Sequence, residues 1–273
     1  MKKTVIVIAA VSVVSLILSS IFLRSVKKED FNHWSLHFST ENSSRAVDPA
    51  LLKDYKAERT FDFSKEGRLE LRIAAGKIKV TPSQENKLKI RLKGKVDSTK
   101  DFNIDECIKK NGQTLRLDLL KGDASERGDW LNFSAKVSSL MPGDVEIEVE
   151  VPRNFEVLDI GGFSLEMDVR DLTPKKIDLK VVDGDIELER VQASSLIVSS
   201  VSGDIDFTDS GAEEMQVNSV SGDLEFESRL PDKYAIQFTS ITGKMSGKEL
   251  FEGTSSRQMK INTVSGDAKF VRK

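Results

Sequence analysis

Val201-Ser202-Gly203-Asp204-Ile205 recurs 19 residues later as Val220-Ser221-Gly222-Asp223-Leu224, and related blocks occupy residues 182–186, 241–245 and 264–268. The blocks share a glycine at their third position, and the intervals between these glycines are 19, 19, 21 and 23 residues. Such intervals are typical of one coil of a parallel β-helix and too short for a propeller blade. The blocks therefore predict a repeat protein. Their glycines are Gly184, Gly203, Gly222, Gly243 and Gly266.

Hydrophobic residues recur at fixed distances from each glycine. Two columns precede the glycine by seven and five residues, two follow it by two and four, and polar residues separate them. This alternation predicts half-buried strands on both sides of a turn. One unit cannot bury its apolar face alone, so we expect units stacked in register around one core. In the block at 220–224 the columns are Met215, Val217, Leu224 and Phe226.

The glycines are predicted to be structural turn residues, because the turn needs either a positive φ or a close approach to the next coil. The pattern extends toward the N-terminus around Gly76 and Gly162. After Gly162 the apolar positions are displaced by one residue, which predicts a β-bulge. We therefore expect an all-β domain over residues 59–273, with regular repeats over 175–273. Its predicted architecture is a right-handed parallel β-helix or solenoid.

An uncharged segment precedes this domain. Thr4 to Leu23 is a run of 20 residues without a charge, which as a helix would span about 30 Å, one hydrocarbon thickness. No cysteine follows the run, so a lipoprotein anchor is excluded. Residues 1–23 are thus predicted to be an uncleaved signal anchor, with a transmembrane helix that attaches the protein to a membrane through residues 4–23. Basic residues on both sides leave its orientation open.

Residues 24–58 are predicted to be a juxtamembrane linker. Asp48 as N-cap and Pro49 at the first helical position predict a short helix that ends near Glu58. Phe31, Trp34, Leu36 and Phe38 also lie in this linker, and two interpretations remain open for them: a place at the membrane interface, or a cover for one end of the β domain.

Composition excludes several classes of function. The net charge of −3 gives no basic surface for nucleic acid. With Cys107 as the single cysteine, the chain can form neither an internal disulfide nor a zinc cluster. The two histidines, His33 and His37, lie in the linker without a third metal ligand, so the β domain has no histidine for a Ser-His-Asp triad. We predict no catalytic residues and no cofactor.

The residue after each glycine is the one candidate for metal binding. Asp185, Asp204, Asp223 and Asp267 occupy this position, and Lys244 interrupts the series. Carboxylates stacked about 4.8 Å apart could bind Ca²⁺. The alternative is that each aspartate caps its own turn and faces water. Since the calcium-binding Gly-Gly-x-Gly-x-Asp pattern is absent, the turn role is favoured.

At residues 201–207 and 220–226 the sequence resembles the bacterial putative-adhesin domain family, also called the toastrack family. Its mark is repeated Ser-Val-Ser-Gly-Asp-Ile blocks behind a membrane segment. The resemblance extends over residues 60–273 and is closest at 182–270. It implies a single-pass cell-membrane protein with its β domain outside the cytoplasm, in the periplasm or at the cell surface.

The resemblance implies a non-enzymatic, adhesin-like binding or scaffold domain of the cell envelope with an unidentified protein or glycan ligand. Two alternatives remain open. One is a signalling partner domain linked to envelope stress, and the other is a carbohydrate-active β-helix enzyme, which would need two carboxylates in a cleft.

Overall fold

A computed structural model describes residues 49–63, 66–99, 101–119, 145–153, 155–229 and 233–273. These ranges contain seventeen strands, three short 3-10 helices and no α-helix, so the prediction of an all-β domain is confirmed. Nothing helical in them is long and apolar enough to cross a bilayer. The predicted anchor at residues 1–23 and both histidines lie outside the described residues.

The strands are numbered in chain order. They are β1 Leu52–Asp62, β2 Arg68–Pro82, β3 Lys87–Asp97, β4 Ile108–Asn111, β5 Thr114–Asp118, β6 Glu146–Val151, β7 Val157–Arg170, β8 Lys176–Asp183, β9 Ile186–Glu189, β10 Gln192–Ser202, β11 Ile205–Thr208, β12 Gly211–Ser219, β13 Leu224–Ser228, β14 Ala235–Ser240, β15 Met245–Ser246, β16 Gln258–Thr263 and β17 Ala268–Arg272. The 3-10 helices are Pro49–Leu51, Ile104–Cys107 and Lys248–Leu250.

Two parallel stacks of strands form the repeat region. The first stack runs in the order β5, β2, β7, β8, β10, β12, β16, β14. The second runs β6, β2, β7, β9, β11, β13, β17, β15, because β2 and β7 are long enough to contribute to both. At the N-terminal end β1, β3 and β6 pair antiparallel. A rung is one strand of each stack joined by the turn at the glycine, and the rungs form a solenoid-like sheet.

The four predicted apolar columns form the core. Val198, Val217 and Ile261 in the first stack are fully buried, and so is Ile205 in the second. The rings of Phe207, Phe226 and Phe270 stack across three rungs with centroids 4.6 and 4.7 Å apart. Stacking in register is therefore confirmed.

The turn between the stacks needs glycine for two reasons. Gly203 has φ +104°, and a Cβ there would overlap the carbonyl oxygen of Gly184 on the neighbouring rung. Gly243 lacks a positive φ, yet a Cβ on it would overlap the carbonyl oxygen of Gly266. The predicted structural role of the glycines is thus present at both kinds of turn.

The order of the rungs differs from their order in the chain. β16 lies between β12 and β14, and β17 lies between β13 and β15. The Gly266 rung is therefore inside the stack, and the Gly243 rung lies at its end. The five repeats have nearly the same apolar positions, so the core is equally well filled whether the Gly243 or the Gly266 rung comes last. The sequence pattern alone therefore does not reveal the order of the rungs.

Two local predictions are wrong. Residues 52–62 form strand β1 instead of a helix that reaches Glu58, because eleven residue pairs with β3 outweigh a local helix-start signal. Strand β1 accordingly begins within the predicted linker. In β7 the repeat position is Leu165, which aligns with Gly76 and lies 19 residues before Gly184, so no bulge at Gly162 is needed.

Candidate binding surface

Outward side chains of the two stacks differ in chemistry. In the first stack, inward residues precede the glycine by seven, five and three positions, so residues six, four and two positions before it point outward. In the last four rungs only one of these twelve outward residues carries a charge. We call this surface the neutral face: Ile197, Ser199, Val201, Gln216, Asn218, Val220, Lys260, Asn262, Val264, Gln237, Thr239 and Ile241.

An exposed aliphatic column forms one border of the neutral face and continues past it. Val201 is 38% exposed, Val220 39% and Ile241 53%. Val264, 9% exposed, lies between Val220 and Ile241 and is outside the main core cluster. Neighbouring backbones are hydrogen-bonded across this column, as in the 2.9 Å bond from the Ser265 N–H to the Val220 carbonyl. We call Val182, Val201, Val220, Val264 and Ile241 the aliphatic ridge, and Phe163 continues the column beside Val182.

Side-chain amides line the neutral face beside the ridge. Asn262 Nδ2 donates to Asn218 Oδ1 at 2.9 Å, and Asn218 Nδ2 donates to Ser199 Oγ at 3.3 Å. Gln216 Nε2 donates to the same Asn218 oxygen at 3.3 Å. These bonds fix the side chains of this amide ladder, Ser199, Asn218 and Asn262, in a regular array with one polar group per rung. Asn218 is half-buried, whereas Ser199 and Asn262 are only 8% and 7% exposed.

The four calcium candidates form a ladder of a different kind. Oδ1 of Asp185 accepts a hydrogen bond from the Asp204 N–H at 2.9 Å, and each later aspartate repeats this contact with the next rung in the stack. Asp267 accepts from the Lys244 N–H at 2.8 Å. Each carboxylate thus caps the adjacent rung and not its own turn. Lys244 ends the ladder instead of interrupting it, because its rung is the last of the stack.

Acidic residues dominate the outward side of the second stack. In the rungs of Gly184, Gly203 and Gly222, eight of nine outward residues are Asp or Glu. We call this surface the acidic face: Asp185, Glu187, Glu189, Asp204, Asp206, Thr208, Asp223, Glu225 and Glu227. Within the described ranges, no group of three or more His, Cys, Asp or Glu is arranged to hold a metal ion.

Charge on the acidic face is compensated mainly at its ends. Arg170 lies 3.4 Å from Glu187, and Lys269 lies 2.9 Å from Glu225. Asp206 lies between these two carboxylates. Partial burial raises the pKa of Asp206, and the negative charges of Glu225 and Asp204 raise it further.

Two depressions elsewhere on the domain lack a carboxylate pair. One of about 230 Å³ is lined by Asp209, Arg229 and Tyr234 among others, and one of about 440 Å³ by Asp62 and Lys110 among others. Each contains a single carboxylate, whereas glycoside hydrolysis uses two. Cys107 is partly buried, and its thiol lies 3.9 Å from the Asn103 carbonyl oxygen.

The ridge was not identified from the sequence, although its residues begin the five motif blocks. The position of each residue relative to the glycine, odd or even, is enough to identify the ridge. Core residues lie an odd number of positions before the glycine, and the motif valine lies two before it. Val201 and Val220 must therefore point away from the core.

A family comparison agrees with this geometry. The Toastrack DUF4097 family matches residues 68–271, which include every rung of the two stacks. The chain belongs to this family. The match confirms the resemblance to the toastrack family that the motif blocks indicated. Among curated proteins, no sequence matches it.

Solved structures similar to this Toastrack chain are distant from it in sequence. A putative adhesin from Bacteroides fragilis has 16% identity and a TM-score of 0.43, over 79% of this chain and 97% of that one. A putative cell adhesion protein from Clostridium sporogenes has 11% identity and a TM-score of 0.39, over 81% and 100%. A putative lipid binding protein from Parabacteroides distasonis has 12% identity and a TM-score of 0.33, over 80% and 93%. What this Toastrack chain binds has to be inferred from its own surface.

Proposed function

We propose that the protein is a non-enzymatic, membrane-anchored binding module of the cell envelope, and that the neutral face contacts its ligand. The observation that carries the proposal is the aliphatic ridge. Outward positions of a strand with one solvated face are normally polar. Here the outward positions at Val201, Val220 and Ile241 are aliphatic and stay more than a third exposed.

Contrast with the rest of the surface supports this assignment. Charged residues make up 31% of the chain, yet Lys260 is the single charge among the twelve residues of the neutral face. Scattered exposed hydrophobic residues need no explanation, but contiguous ones often mark an interaction surface. Depletion of charge is also characteristic of the centre of protein interfaces.

Attachment to the membrane gives this surface a cellular context. The uncharged run at residues 4–23 is long enough for one bilayer crossing. The β domain follows it and would lie outside the cytoplasm, within reach of envelope polymers and proteins. In this arrangement the anchor holds the protein at the membrane, and the neutral face binds the ligand.

Cysteine footprinting in cells tests the proposal. Val220→Cys and Glu187→Cys are introduced separately into the full chain, each with Cys107→Ser. Both sites are open to reagent, since Val220 is 39% exposed and the Glu187 side chain 59%. Labelling by a small charged maleimide that does not cross a bilayer is timed in intact cells and on the purified chain.

We expect Val220→Cys to react several-fold more slowly in cells than after purification, because the ligand covers it. Glu187→Cys on the acidic face should react equally in both. Equal rates at Val220→Cys would overturn the assignment of the neutral face. If both cysteines react only after the cells are permeabilised, the location outside the cytoplasm is wrong.

A further inference from the structure

The size of the neutral face restricts its occupant. Four rungs about 4.8 Å apart, each presenting about 20 Å of strand, give an area of roughly 400 Å². A stable protein–protein interface buries about 800 Å² on each partner. A second copy of this chain would therefore find too little surface here. A narrow ligand that lies along the stack fits the area better.

We propose that this ligand is an uncharged, linear β-linked polysaccharide whose chain runs along the stack axis. The inference rests on the proposed function and names its ligand class. Donors and acceptors that match sugar hydroxyl and N-acetyl groups come from the exposed Gln237 and Thr239 and from the half-buried Gln216 and Asn218. Each sugar hydroxyl both donates and accepts. The aliphatic ridge, two residues away along each strand, supplies an apolar surface for the C–H faces of the sugar rings.

The spacing of the face supports this orientation. Asn218 and Asn262 are register neighbours on adjacent rungs, as are Val220 and Val264. One rung therefore repeats about every 4.8 Å along the stack. A β-1,4-linked hexose residue has a similar length, and successive residues are turned by about half a rotation. Every second sugar therefore presents the same face to every second rung.

Charge and backbone hydrogen bonding argue against the other ligand classes. With Lys260 as its single charge, the face offers no complement to a polyanion. An extended peptide binds a sheet mainly through free main-chain groups at an edge. At the neutral face the backbones of β10, β12, β16 and β14 are paired with one another, so a peptide lying on it would have side chains alone to bind.

The test uses the full-length chain in detergent micelles with insoluble chitin and cellulose, two uncharged β-1,4-linked polymers. We expect the chain to sediment with at least one polymer, to the same extent at low and high salt. Val220→Asp and Asn218→Asp should each weaken binding by at least about tenfold. Glu187→Gln, on the acidic face, is the matched control and should bind like the wild type.

Two results would overturn this inference and leave the proposed function intact. One is protection of Val220→Cys in cells without sedimentation on either polymer. The other is protection that a protease removes from the cells and a glycan hydrolase does not, which would identify a protein ligand. Binding that Glu187→Gln or high salt abolishes would place the contact on the acidic face and would contradict both proposals.

Discussion

The Asp223 N–H donates a 2.8 Å hydrogen bond to Oδ1 of Asp204 on the neighbouring rung. The same contact joins Asp185 to Asp204 and Asp223 to Asp267, so one short side chain links each turn to the next. Hydrogen bonds to an ionised acceptor are stronger than neutral ones. This series explains why aspartate follows glycine in four of the five motif blocks.

Asp204→Ala should therefore destabilise the domain. Loss of an ionised acceptor that holds a backbone N–H is expected to lower the free energy of unfolding by about 1–2 kcal/mol. Asp204→Asn keeps an oxygen acceptor and should stay within about 0.5 kcal/mol of the wild type. Urea denaturation measures both. Lys244→Ala, at the end of the ladder, is the control, and equal stability of Asp204→Ala and the wild type would refute a structural role for the ladder.

Gly222→Ala should be among the most damaging single substitutions. Gly222 has φ +113°, and a Cβ there would overlap the carbonyl oxygen of Gly203. Strain and overlap together should lower the free energy of unfolding by about 3 kcal/mol or more. Gly112 has φ +57° but no atom within 4 Å of a Cβ, so Gly112→Ala is expected to lower it by about 1 kcal/mol. Similar melting temperatures for the two variants would show that the close approach of rungs is unimportant.

Substitution by aspartate should have very different effects on stability at Val217 and at Val220, which lie three residues apart in one rung. Val217 is fully buried in a core column, whereas Val220 is 39% exposed on the aliphatic ridge. Val217→Asp buries a charge without a partner, so we expect the domain not to fold. Val220→Asp should change the free energy of unfolding by about 0.5 kcal/mol or less. Circular dichroism and thermal melts distinguish them, and a normal melt of Val217→Asp would refute the rung alignment.

Asp206→Asn should stabilise the domain at pH 7 and not at pH 3. The pKa of Asp206 is raised in the folded state, first by burial and then by neighbouring carboxylates, so the folded chain binds this proton more tightly than the unfolded chain. Its contribution to stability therefore falls as pH rises from the unfolded value of 3.8 through the folded pKa. The gain in the variant should be at most about 1 kcal/mol, because water still reaches the partly exposed carboxylate of Asp206 and screens the neighbouring charges.

Asp105→Asn provides a control of opposite sign. Arg59 Nη2 lies 2.7 Å from Asp105 Oδ2, and this hydrogen-bonded guanidinium lowers the pKa of the carboxyl. Its contribution is present above the unfolded pKa and is lost as pH falls, so this variant should be less stable than the wild type at pH 7. Parallel pH profiles for the Asp105 and Asp206 variants would contradict both assignments.

Much of the repeat region is predictable because its columns depend on local alternation. Leu179, Val198 and Val217 each lie five residues before a glycine, and all three are fully buried. Strand β1 is different, because Leu52–Asp62 becomes a strand only through pairing with β3. The paired residues are 25 apart in sequence at Asp62↔Lys87 and 45 apart at Leu52↔Asp97. Non-local pairing of this kind leaves a weaker trace in the sequence than a local helix cap.

The candidate site was predictable only in part. Asp185 and Asp204 were identified as a regular series, but their bonding to the next rung depends on which turns are adjacent in space. The exchange of rungs places Lys244 beside Asp267, to which its N–H donates. Lys244 therefore ends the aspartate ladder instead of interrupting it. The neutral face likewise brings together Asn218 and Asn262, which are 44 residues apart.

The rungs are synthesised in an order that differs from their order in the stack. β14 and β15 leave the ribosome before β16 and β17, the layer to which they bind. Until β16 emerges, the open edge of β12 faces β14, a strand with the same pattern of apolar residues. The two strands therefore compete for one edge during synthesis. A chain that first pairs β14 with β12 has to release this pairing before β16 can enter the stack between them.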